Sequence, residues 1–169
     1  MVIFVKEETF IRNICIILKK YRKFVSMKLL AVKQPWASLI CLGIKDVENR
    51  TWRQDSLVGG KLLIMSCKKN EVLNTTNARW KEEYLRLVDK GKVPSLDSLP
   101  KGKIIGYVDV AAIVEESDSV WSADASHYKY VLKNAHLFKT PLIGVHGQPR
   151  PINYPMSLND LLAIPTSDK

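Results

Sequence analysis

A chain of 169 residues with 46% hydrophobic and 25% charged side chains is long enough for one domain with a real core, and its composition excludes the disordered and fibrous classes. The net charge of +9, from 26 Lys and Arg against 17 Asp and Glu, favours polyanionic partners, nucleic acid first, although a merely solvated basic surface gives the same sum. Cys15, Cys41 and Cys67 are odd in number and far apart, with no Cys-x-x-Cys pair and no His at zinc spacing; the sequence therefore predicts neither disulfides nor structural zinc, and it fits a reducing cytoplasm.

Residues 1–26 read as a separate basic amphipathic extension. Phe4, Phe10, Ile11, Ile14, Ile16, Ile17 and Leu18 alternate with six Lys and Arg and two acids, a charge of +4, while the other 143 residues carry 20 basic and 15 acidic side chains, a charge of +5. No apolar run approaches the ~20 residues of a membrane span, and nothing after Ser26 resembles a signal-peptidase site, so membrane insertion and secretion are disfavoured. Three readings stand for the extension: a basic helix for a membrane or nucleic acid, a helix docked on the domain, or a start assigned upstream of an initiator at Met27. The last is favoured, because Met27-Lys28-Leu29-Leu30 runs straight into a first strand.

From Met27 the pattern predicts a strand over Lys28–Val32, a helix over Pro35–Leu42, a strand over Lys45–Thr51, a turn at Gly59-Gly60 and a strand over Lys61–Cys67. Pro35 suits a first helical turn, and Gly43 supplies the left-handed residue that ends one. Asn77 caps a helix in which Trp80, Tyr84, Leu87 and Val88 share one face, with Gly91 as its stop. A long apolar strand follows over Lys103–Val114, then a Ser- and Asp-rich connection at 117–126. Strands over Tyr128–Leu132 and Leu137–Pro141 come next, with a further strand and turn at 142–147. In the last residues Leu158, Leu161 and Leu162 suit a short helix over a barrel mouth. Short strands outnumber helices and the connections are too brief for repeated parallel crossovers. The expected fold is α+β, a small mixed or antiparallel β-barrel with flanking helices, over 27–155, with 156–169 as a C-terminal tail.

The densest chemistry lies at 33–52. Period-two alternation puts Glu48 and Arg50 on one face and Lys45 with Val47 on the other, so Lys45 and Glu48 meet only if the strand start bends. If they meet, they form either an ion pair fixing strand to helix or a working pair, with a partly buried Lys as base or nucleophile and Glu48 as its proton shuttle. Lys33, Lys45, Arg50, Arg53, Lys68 and Lys69 fall near strand ends and suit a phosphate-binding rim, to which the helix start at Pro35 adds backbone donors; a solvated surface is the alternative. Trp36 reads first as a core anchor and second as a base-stacking face, Trp52 stays open between the two, and Trp121, in the polar connection, is expected to be exposed. His127, His136 and His146 are scattered; His146-Gly147 is either at the cleft mouth or a turn with no role. No phosphate loop or nucleophile elbow is present, and the sequence predicts no metal and no cofactor.

Lys33-Gln34-Pro35-Trp36-Ala37-Ser38-Leu39-Ile40, then Gly43-Ile44-Lys45 with Glu48-Asn49-Arg50-Thr51-Trp52, then Gly60-Lys61-Leu62-Leu63-Ile64 with Lys68-Lys69, resemble the ASCH domain family of the PUA-like superfamily. A weaker likeness continues through Gly106-Tyr107-Val108-Asp109-Val110 and Tyr130-Val131-Leu132-Lys133-Asn134, so that the resemblance spans about Met27 to Tyr154. It implies a barrel with a cleft beside the helix after the first strand, proposed in the family to bind RNA or other nucleic acid and in some members to hydrolyse RNA or modified nucleosides. Position by position it points to Lys45, Glu48, Arg50, Gln34, Trp36 and Lys68. The chain departs from the family pattern at Glu48, where some hydrolytic relatives place Thr, at Met65, where many have His, and at Pro149-Arg150-Pro151, where a late aromatic is usual.

The resulting expectation is a cytoplasmic nucleic-acid-binding module, RNA foremost, that holds a single-stranded or flipped nucleotide with Lys33, Gln34, Trp36, Lys45, Glu48, Arg50, Trp52, Arg53, Lys68 and Lys69. The alternative is a metal-independent hydrolase of acylated modified nucleosides, or a ribonuclease, working through Lys45 and Glu48. A third reading is a scaffold whose extension docks a partner or an anionic membrane.

Overall fold

The computed structural model describes residues 26–71, 73 and 77–167, so the readings of the N-terminal extension lie outside the described residues. The elements in chain order are β1 (Met27–Val32), α1 (Trp36–Cys41), β2 (Val47–Arg50), β3 (Lys61–Ser66), α2 (Ala78–Asp89), β4 (Lys103–Val114), β5 (Tyr128–Ile143), β6 (Ile152–Tyr154) and α3 (Leu158–Leu162). The strands form one six-stranded sheet in the order β2-β5-β4-β3-β1-β6. β1 runs parallel to β3, and every other neighbouring pair is antiparallel. The class is α+β with a mixed sheet, as the pattern predicts.

The middle of the sheet is buried on both faces. Leu30, Val32, Leu62 and Ile64 point into a larger core with α1 and α2, while Leu29, Leu63 and Met65 point into a smaller one. Double burial is why Leu62-Leu63-Ile64-Met65 reads as a continuous apolar run rather than an alternating one. The larger core gathers Leu39, Ile40, Tyr84, Leu87, Ile105, Val108, Trp121 and Tyr130. The smaller one is closed by Tyr107, Phe138 and Leu161 of α3. That helix starts at a capping box of Ser157 and Asp160, which satisfies its first backbone donors and aims Leu161 inward; Leu158 and Leu162, expected on the same contact, remain exposed.

The structure corrects two expectations. The segments read as separate strands around 128–143 are one strand, β5, because register shifts along β4 and a left-handed Asn134 (φ 48°) let a single long strand bend where a turn was expected. The sheet also does not close into a barrel. β2 pairs only with β5 and β6 only with β1, so the outer edges of these two short strands do not meet in a ladder. β6 covers β1 only from Met27 to Leu29, which leaves the far half of β1 without a strand on that side. Across this gap the Arg50 guanidinium of β2 donates to the carbonyls of Ala31 at 3.3 Å and Pro149 at 3.2 Å. A side chain, not a ladder, spans the seam.

Candidate functional site

The seam is hollow. A cavity of about 420 Å³ is bounded by Ala31 and Val32 of β1, Trp36 of α1, Glu48 and Arg50 of β2, Cys67 and Glu71 after β3, and Gly147, Gln148 and Pro149 before β6. Its wall is therefore apolar at Val32 and Trp36 and ionic at Glu48 and Arg50.

The ionic part is a chain of three charges. Glu48 and Arg50 stand two residues apart on β2 and share a face, with Nη2 of Arg50 3.0 Å from Oε1 of Glu48. Lys45 precedes the strand, so alternation does not govern it. Gly43, at φ +74°, turns the chain after α1, and the Ile44 and Lys45 amides both donate to the Leu39 carbonyl at 2.9 and 3.0 Å. That turn folds the Lys45 side chain back beneath β2, where Nζ donates to the Val47 carbonyl and to Oε2 of Glu48 at 3.1 Å and lies 5.6 Å from the Trp80 ring centre. This is the bend that a Lys45–Glu48 meeting requires.

Lys45 is only 2% exposed and lies behind the cavity wall, not on it. Burial pushes its pKa down from the ordinary lysine value, and the charge and hydrogen bond of Glu48 oppose that shift. Its place is that of a positioning residue, which holds one oxygen of Glu48 while Arg50 holds the other. The rim assignment of Lys45 fails for the same reason: a side chain recruited to neutralise a buried carboxylate has no reach to solvent.

Other expected site residues divide into three groups. Gln34 is fully buried, with Oε1 accepting the Ser38 amide at 3.1 Å and Nε2 donating to the Pro100 carbonyl at 2.9 Å; both polar ends are committed to the fold. Two first-turn amides of α1 are likewise taken, that of Ala37 by the Lys33 carbonyl and that of Ser38 by Gln34. Trp36 packs between Trp80 and Trp121 at centroid distances of 5.7 and 6.0 Å and shows the cavity little of its ring. Trp121 is buried, contrary to expectation, because Nε1 donates to the Ile44 carbonyl at 2.8 Å and Asn49 of β2 pins both the Trp121 carbonyl and the Ala123 amide. Those bonds draw the polar connection over the larger core.

Trp52 and Arg53 form a second group, beyond the end of β2 and off the cavity. Trp52 is half-buried edge-on to Tyr130, with the guanidinium carbons of Arg50 and Arg150 at 5.7 and 5.9 Å from its ring centre. Arg53 is exposed and paired with Asp55 at 2.8 Å. The third group does face open space. Lys33 lines the seam cavity and pairs with Glu71 at 3.3 Å across its mouth. Lys68 and Lys69 line an adjoining cavity of about 600 Å³ together with Lys33, Cys67, His146 and Gly147.

Cys67, Glu71, Gln148 and Pro149 line the cavity although pattern reading does not place them there, whereas Gly147, read as either at the cleft mouth or in a turn with no role, lies on its wall. Cys67 reads as one more apolar strand residue, yet β3 ends at Ser66 and the thiol stands at the junction of the two cavities. The usable signal is Gly144-Val145-His146-Gly147 followed by Pro149 and Pro151, a run rich enough in Gly and Pro to predict a connection rather than another strand.

The ASCH domain profile matches residues 30–141. The chain belongs to the ASCH domain family. The matched span runs from the second half of β1 through most of β5, and hence takes in Glu48, Arg50 and Cys67, but not the 144–151 connection, β6 or α3. No curated protein matches this ASCH chain. Among solved structures it is similar to ASCH from Zymomonas mobilis (TM-score 0.45, 13% identity, 83% of this chain and 96% of that one) and to a point mutant of the same protein (TM-score 0.47, 15% identity, 83% of this chain and 99% of that one).

Proposed function

We propose that this ASCH domain binds single-stranded nucleic acid, RNA foremost, by admitting one unstacked base to the seam cavity. The observation that carries the reading is the cavity itself, a concave space of about 420 Å³ with an apolar back and the Glu48–Arg50 pair set into one side. Ligand sites are generally of this kind, mostly apolar with a few placed polar groups. Each oxygen of Glu48 is already held, one by Lys45 and one by Arg50, so the carboxylate is fixed and keeps lone pairs for the exocyclic amine of a base. Gln148, on the opposite lip, supplies an amide for the same edge. Membership of a family generally thought to bind RNA, and the +9 charge, support the same ligand class.

The test uses Cys67, which lines the cavity and whose alkylation would fill it. Anisotropy titrations of a labelled single-stranded RNA are compared before and after modification of the full chain with N-ethylmaleimide. A loss of about tenfold or more, some 1.4 kcal/mol, is expected, with Cys67→Ser protein insensitive to the reagent. Affinity that survives complete modification of Cys67 would remove the cavity from the binding site.

Hydrolysis at the same place is the second reading. It is favoured by one observation, that Glu48 alone of the expected pair reaches the cavity wall. In that reading Glu48 is the group that touches substrate and Lys45 orients it. Incubation with RNA and modified nucleosides in chelator tests it: turnover unaffected by Glu48→Gln would exclude this carboxylate.

A further inference from the structure

The nucleic-acid reading leaves the neighbouring cavity without a task, and the inference that follows rests on that reading. We propose that the cavity bounded by Lys33, Lys68, Lys69 and His146 is a phosphate site continuous with the seam, so that the ligand is a nucleotide whose base enters the seam and whose phosphate sits beside it.

Three observations lead there. The two cavities share Lys33, Cys67 and Gly147 and so form one groove. Charge is sorted between its halves: Glu48 and Glu71 line the seam, whereas the adjoining half is lined, among the described residues, by three lysines and a histidine and no carboxylate. In the seam half the cations are spent, Arg50 on Glu48 and Lys33 on Glu71, while neither Lys68 nor Lys69 has a carboxylate partner among the described residues. Two unneutralised ammonium groups at one concave surface attract a polyanion more strongly than the seam half, where the cations are already paired with carboxylates, and that difference sets the direction in which a nucleotide lies.

Gly144 and Gly147 line this half at close-packed positions: a Cβ on Gly144 would stand 2.1 Å from the Gly102 carbonyl oxygen, and one on Gly147 would stand 2.8 Å from the Ala31 Cβ. The stem of Lys68 lies against Gly102, whose added Cβ would be 3.1 Å from its Cγ, and this packing steadies the lysine at the cavity edge.

Cys67 again reports, since its thiol stands where the two halves join. The rate of its alkylation by iodoacetamide in the full chain, followed on the Cys67 peptide by mass spectrometry, is measured with inorganic pyrophosphate and with chloride at equal ionic strength. Pyrophosphate at ten times its dissociation constant is expected to slow the reaction about tenfold. In Lys68→Gln/Lys69→Gln protein the protection disappears, and in the charge-matched Lys90→Gln/Lys92→Gln protein it stays. For single-stranded RNA, the first double variant is expected to show a shallower dependence of log affinity on log salt, by about 0.7 for each phosphate that the lysines no longer neutralise. Equal protection in all three proteins, or none in the wild type, overturns the phosphate site. If RNA does not bind at all, the base-binding reading falls while the pyrophosphate result still decides this one.

Discussion

Two lysine–carboxylate clusters stand on the sheet, one on β2 at its edge and one across the central strands β3 and β4, and they differ in a way that distance alone misjudges. At the seam, Lys45 and Glu48 are 3.1 Å apart with side-chain exposures of 2% and 11%. On the central strands, Lys61 and Asp109 are 2.7 Å apart, Asn134 donates to the other oxygen of Asp109 at 2.9 Å, and both charged side chains are about a quarter exposed. The shorter pair is the weaker one. Water screens it, and two mobile side chains lose entropy to hold it. The longer pair has no water to fall back on, so each charge depends on the other and the strand between them is held in place.

The largest break in this comparison is Glu48→Ala, which leaves the Lys45 ammonium buried without its carboxylate. We expect it to lower stability by about 3–5 kcal/mol, read as a fall in the urea midpoint; a loss under about 1 kcal/mol would mean that Lys45 reaches solvent. Lys61→Met, the matched change on β3, should cost about 1 kcal/mol or less in the same titration. A cost equal to that of Glu48→Ala would erase the distinction.

The pH dependence sharpens the contrast, because the clusters titrate at opposite ends of the scale. The folded pKa of Lys45 is depressed below 10.5. Between that lowered value and 10.5 the unfolded chain binds the extra proton, so stability gains from Lys45 as pH rises through this window. Subtracting the profile of Lys45→Met protein isolates the gain, and a difference that falls with rising pH there would contradict the burial. For Asp109, burial pushes the pKa up, but the hydrogen bonds from Lys61 and Asn134 together outweigh it and the folded value lies below 3.8. Its contribution is complete above 3.8 and disappears as pH falls through the folded value, a smaller effect that the Asp109→Asn difference profile should show only in acid.

The thiols give the smallest and simplest contrast. Cys41, the last residue of α1, is fully desolvated against Gly106, where an added Cβ would stand 2.8 Å from its sulfur, and burial pushes its pKa far up. Burial raises the pKa of Cys67 as well, while the nearby Arg50 and Lys33 charges oppose the rise. Of these two, Cys67 should alkylate first in native protein.

Local pattern carried a good part of this molecule. Asn77 accepts the Arg79 amide and begins α2 where its side chain predicts, Gly91 at φ +66° follows the helix end, and the β4 limits agree with the apolar run at 103–114. These features depend on neighbours within a few residues. Where contacts over long sequence distances decide, the reading failed: Trp121 is drawn inward by Ile44, 77 residues away, and the 128–143 stretch follows a bent β4 rather than its own turn-like residues. The candidate site divides the same way. Glu48 and Arg50 were legible because they lie two apart on one strand, whereas Glu71 and Gln148 reach the cavity from segments that no periodicity links to β2.

By itself the sequence determined the α+β class, most helix and strand limits, the basic charge and the family, all of which rest on short-range periodicity and composition. Only the tertiary structure decided that the sheet stays open between β2 and β1, that Lys45 lies beneath the wall while Cys67 stands on it, and that Glu48 and Glu71 line one cavity while Lys68 and Lys69, without a carboxylate partner among the described residues, line the other. The physical reason is that a seam is a property of edges. Which backbone groups remain unpaired, and which side chains gather around them, is set by how far two short edge strands reach in space, a quantity that no local run of residues encodes.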